Sequence, residues 1–126
     1  GDNPDVAGLV MKHENGAIST LNAGYASAGE NYVMNIYGKE ASALYSLHTG
    51  MFHVKRGEKI PIKKEFEQND TIMEQMQEFG DCIRSGDEPE VGGEWASRSL
   101  AVIRAGVKSA REKRYVSIQE IMDSGE

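Results

Sequence analysis

A chain of 126 residues with 39% hydrophobic and 27% charged residues is long enough for one folded domain, spanning 1–126, that buries roughly two thirds of its unfolded surface, and the balance excludes a disordered tail or a collagenous repeat. The formal net charge of −6 and the scatter of Lys and Arg argue against a nucleic-acid partner, which requires clustered cations to displace counterions. No apolar run is long enough to span a bilayer, the first residues lack the basic start and apolar stretch of a signal peptide, and the lone Cys82 forms no internal disulfide, so a soluble, cytoplasmic protein with no membrane partner is expected.

Val6 to His13 reads as a short strand, and Ala17 to Tyr25 as a second one of alternating small, β-branched and apolar residues. Asn15-Gly16 between them predicts a hairpin with a type I′ turn, since both residues tolerate positive φ. A polar, glycine-containing connection leads into a strand from Tyr32 to Tyr37. Gly38-Lys39-Glu40 turns the chain into Ala43 to His48, and Thr49-Gly50 turns it again into Met51 to Lys55. Ile60-Pro61-Ile62 is predicted at a sheet edge, because Pro61 has no N–H to give a ladder.

The period then changes. Ile72, Met76, Phe79 and Ile83 recur at helical spacing from Thr71 to Ser85, with Thr71 and Glu74 as a capping box and Gly86 as the stop. After Gly86-Asp87-Glu88-Pro89, a longer helix carries Ala96, Leu100, Ile103, Val107 and Ala110 along one side. Its basic end, where Arg111, Lys113 and Arg114 cluster, suits the helix dipole. Tyr115-Val116-Ser117-Ile118 reads as one more strand.

The order predicts an α+β fold: a mostly antiparallel sheet of about six strands plus a short C-terminal strand, with two helices packed on one face. Two helices cannot cover both faces of such a sheet. Tyr32, Met34 and Ile36 alternate with Val33 and Tyr37, so the uncovered face is not clearly polar. A second copy presenting the same patch is the simplest cover, which predicts a homo-oligomer through the sheet face; the alternative is that Val33 and Tyr37 sit half exposed.

Residue types that could carry chemistry are sparse. His48 and His53 would be diagonal neighbours about 7–8 Å apart, poor for chelation without a third ligand, and no metal is expected. Cys82 lies beside Ile83 with no paired His to activate it, so packing is its expected role. Glu65, Glu67, Asp70, Glu74 and Glu78 read as solvated charges rather than an acid/base pair. The Gly92-Gly93 pair follows a Pro-containing turn and not a strand, so it is no dinucleotide loop. Three residues remain as cleft candidates. Glu94 and Trp95 open the long helix just after that flexible pair, where they either line a cleft or anchor the helix. Tyr25, at the end of the second strand, is either a cleft residue or an ordinary strand-end aromatic.

Several segments, in order, resemble the C-terminal domain of the Gfo/Idh/MocA oxidoreductases. Asp5 to Leu21, an acidic start leading through apolar residues to Asn15-Gly16-Ala17, is similar to the family's hairpin, and Ile36 to Leu44 to its strand-Gly-turn-strand. Phe79-Gly80-Asp81-Cys82-Ile83-Arg84-Ser85-Gly86, Pro89, Ala101 to Ala105, Ser109-Ala110 and Arg114-Tyr115-Val116 resemble its two closing helices and last strand. The resemblance implies a parent that moves a hydride between NAD or NADP and a sugar, polyol or related small-molecule substrate. The family's Rossmann domain and catalytic lysine lie upstream of the region matched, so the resemblance assigns no catalytic and no cofactor-binding residue here, and implies an N-terminal Rossmann domain as partner. Asn22-Ala23-Gly24-Tyr25 resembles the Asn-Ala-x-Tyr stretch of inositol dehydrogenase-like members. Glu94-Trp95 partly resembles an acidic-aromatic group at the start of the long helix, with Trp in place of Tyr removing a hydroxyl acceptor. Tyr25, Glu94 and Trp95 are thus implied as substrate-lining residues. Two functions follow: the substrate-side and dimerisation domain of a dehydrogenase, inactive alone, or a stand-alone β-sheet interaction module with no catalytic role.

Overall fold

The computed structural model describes residues 5–26, 28–66 and 69–124, and the fold is α+β. The chain divides into two compact units, Gly1–Gln68 and Asn69–Glu126; the first holds the strands and the second the helices.

In the first unit, β1 (Val6–Lys12) and β2 (Ile18–Gly24) form a two-stranded antiparallel sheet with Leu9 opposite Leu21. The Asn15-Gly16 hairpin is present, but its turn is not type I′. Of the two residues only Gly16 has positive φ, at 85°. Its N–H donates to the His13 carbonyl at 2.9 Å, and the His13 N–H donates to the Ala17 carbonyl at 2.9 Å. This is a three-residue loop closed by a left-handed glycine. Asn15 contributes through its side chain instead, its Oδ1 accepting from the Ala17 N–H at 3.0 Å, as Asn does when it caps its own turn.

A second antiparallel sheet runs in the order β3 (Val33–Tyr37), β4 (Ala41–Ser46), β5 (Gly50–Lys55) and β6 (Ile62–Lys64). The predicted edge is where Pro61 places it, immediately before β6. β4 begins two residues earlier than the side-chain pattern suggests, because the Gly38 N–H donates to the Ala41 carbonyl at 2.9 Å. A Cβ at position 38 would stand 2.8 Å from that oxygen, so only glycine makes the turn this tight. Register sorts the sheet into two faces, because successive side chains alternate. Met34, Tyr45 and Met51 share one row, and Ile36, Ala43, His53 and Ile62 the next on the same face. The opposite face carries Val33 and, in register, Asn35–Leu44–Phe52–Lys63 and Tyr37–Ser42–Val54. Neither face is polar.

In the second unit, α1 (Thr71–Ser85) has the predicted limits but a different cap. Asp70 is the N-cap, its carboxylate accepting from the Met73 N–H at 3.0 Å; Thr71 is already helical. The carboxylate outcompetes a hydroxyl here because it also meets the positive end of the helix dipole. Gly86 ends the helix in the left-handed region, its N–H on the Cys82 carbonyl at 2.8 Å. α2 (Gly93–Glu112) ends on Lys113, left-handed at φ 55°.

The last element differs from the predicted strand. No strand is formed at 115–118, and Ile118 instead opens α3 (Ile118–Ser124). Ser117 caps it, its hydroxyl accepting from the Glu120 N–H at 3.1 Å, and Ser117-x-x-Glu120 is a capping signature that the short apolar run obscures. Packing decides the rest. Among the described residues the buried core is Ala101 and Ala105 of α2 with Val116 and Ile121, where two alanines one turn apart let α3 approach closely. Arg114 fastens the joint, donating to both carboxylate oxygens of Glu120 at 2.9 and 2.6 Å and to Glu112 at 2.6 Å. Lys108 pairs with Glu120 at 3.2 Å. The hydrogen bonds from Arg114, and then Lys108, hold the Glu120 carboxyl at about 2, well below its ordinary 4.5.

Candidate functional site

The three cleft candidates fall in different units. Tyr25 follows the last residue of β2 in the first unit; its N–H donates to the Asp5 carbonyl at 2.9 Å, while its residue surface is 95% exposed. The backbone is therefore fixed and the phenol is free. Glu94 and Trp95 occupy the first turn of α2 in the second unit. Gly92, the N-cap, offers no side chain to the orphan N–H groups there, so the first turn keeps its positive end, which favours the Glu94 carboxylate. Glu94 also meets Arg98 one turn on, at 3.6 Å, with both side chains largely exposed, a contact worth little to stability. Trp95 is 64% exposed, and its carbonyl accepts from the Ser99 hydroxyl at 3.0 Å. An indole with that exposure is presented to solvent.

The three side chains offer hydrogen-bonding and apolar groups. A carboxylate accepts from hydroxyls, a phenol donates and accepts, and an indole donates once while offering a flat apolar face. Among the described residues none of the three side chains is hydrogen-bonded to a general base. Elsewhere, His13 Nε2 and the Ser19 hydroxyl lie 2.8 Å apart across the β1–β2 hairpin. His48 lies in the loop after β4, not within the strand, and its Nε2 meets the Glu30 carbonyl at 3.0 Å. His53 stands opposite Ala43 and Ile62. Among the described residues no three His, Cys, Asp or Glu side chains converge as a metal site, and no helix is long and apolar enough to cross a membrane.

Cys82 lies on α1 beside an open groove of about 330 Å³ that Glu74, Glu78, Asp81 and Asp87 help to line. Burial, then the charges of Glu78, Asp87 and Asp81, push its thiol up, which keeps it out of the reactive thiolate form. The sequence alone does not reveal this, since Asp87 and the α1 carboxylates meet around the thiol only once Gly86 turns the chain.

Among the described residues every ladder is antiparallel, and Gly92-Gly93 opens α2 after a turn rather than after a strand, unlike the strand–glycine loop–helix unit that cradles a pyrophosphate.

Residues 2–118 match a family model described as "Oxidoreductase family, C-terminal alpha/beta domain", that of the Gfo/Idh/MocA proteins. The match stops at the first residue of α3. No curated protein and no solved structure matches the chain.

Proposed function

Since this chain belongs to the Gfo/Idh/MocA oxidoreductase family, as its C-terminal α/β domain, we propose that it is the substrate-side and dimerisation domain of a cytoplasmic NAD(P)-dependent dehydrogenase of a sugar, polyol or related hydroxyl compound. The family match over residues 2–118 carries this proposal. In it, the N-terminal Rossmann domain of the same polypeptide supplies NAD or NADP and the catalytic groups, and this domain supplies one wall of the substrate cleft. In this reading Tyr25 of the first unit, and Glu94 and Trp95 of the second, are each substrate-contacting residues. Their chemistry suits a neutral, hydroxyl-rich molecule, with Glu94 and Tyr25 able to accept hydrogen bonds from its hydroxyls and the exposed indole of Trp95 able to cover an apolar face of the carbon skeleton. The sheet face bearing Val33, Tyr37, Leu44, Phe52 and Val54 supplies the contact between two copies, supported by 54% and 75% exposure of Val33 and Tyr37.

Steady-state kinetics of the dehydrogenase that contains this domain test the substrate wall. Tyr25→Phe removes one hydrogen bond and raises KM for the polyol about threefold to tenfold, and Trp95→Ala raises it further, while KM for NAD(P) stays put. Unchanged polyol KM in Tyr25→Phe, Glu94→Gln and Trp95→Ala alike would remove these residues from the cleft.

A further inference from the structure

We draw no further inference here: the strongest candidate, the groove between α2 and α3 floored by Ile103, Val107 and Ile121 and rimmed by Arg104, Arg111 and Glu112, is a half-polar surface with nothing in the structure to show what covers it.

Discussion

Replacing Tyr37 with alanine tests association through the sheet. An enclosed tyrosine buries about 150–250 Å², so at 75% exposure roughly 110–190 Å² of Tyr37 would be covered in the proposed dimer, which at about 25 cal/mol per Å² amounts to about 3–5 kcal/mol. That is an upper figure, because ordering the ring and desolvating its hydroxyl offset part of it. A symmetric contact uses the residue twice, however, so a loss of about 3 kcal/mol per dimer is the expectation, equivalent to a roughly hundredfold weaker dissociation constant. Light scattering across a concentration series reads this directly. The native chain should run at twice its 13.8 kDa, Tyr37→Ala should dissociate at about hundredfold higher concentration, and Met34→Ala, on the opposite face, should leave the midpoint where it was. A native chain that stays at 13.8 kDa, or a Tyr37→Ala variant that dimerises as well as the native chain, refutes association through this face.

Two further predictions concern the helical unit. Asp70→Ala should destabilise α1 by about 1 kcal/mol in urea melts followed by circular dichroism, and Thr71→Ala by much less; the reverse order would restore Thr71 as the cap. Glu120 carries a pH signature with a definite sign. Its folded carboxyl sits at about 2 against an ordinary 4.5, so between those values the unfolded chain binds more protons and stability falls as pH drops. Above pH 4.5 the contribution is fully present. Acid titration of helix content should therefore show the native chain losing its advantage over Glu120→Gln across that window, and parallel curves for the two proteins would discount the Arg114–Glu120 joint.

Where local chemistry and tertiary packing agree, the sequence already shows the fold. The limits of α1 follow from its apolar spacing and the left-handed Gly86, and the β1–β2 hairpin from Asn15-Gly16, although the turn type depends on backbone geometry that two residue names do not determine. The last element was hidden for a different reason. Tyr115-Val116-Ser117-Ile118 has strand-like residues, yet Val116 and Ile121 gain more by packing on Ala101 and Ala105, and the Ser117 cap permits the helix. Tertiary burial overrides propensity in a run this short. Tyr25, Glu94 and Trp95 were legible only as residue types in suggestive places. Their exposure is a structural observation, and no local pattern encodes it.

Nicotinamide reduction, followed by absorbance over a panel of sugars and polyols, bears most directly on the two-part dehydrogenase. It should be measured for this chain alone and for the polypeptide in which it is proposed to follow a Rossmann domain. Turnover by the longer protein, with none by the chain alone, is the predicted result. NADH or NADPH formed by the isolated chain, or a native polypeptide with no dinucleotide-binding domain at all, would contradict it.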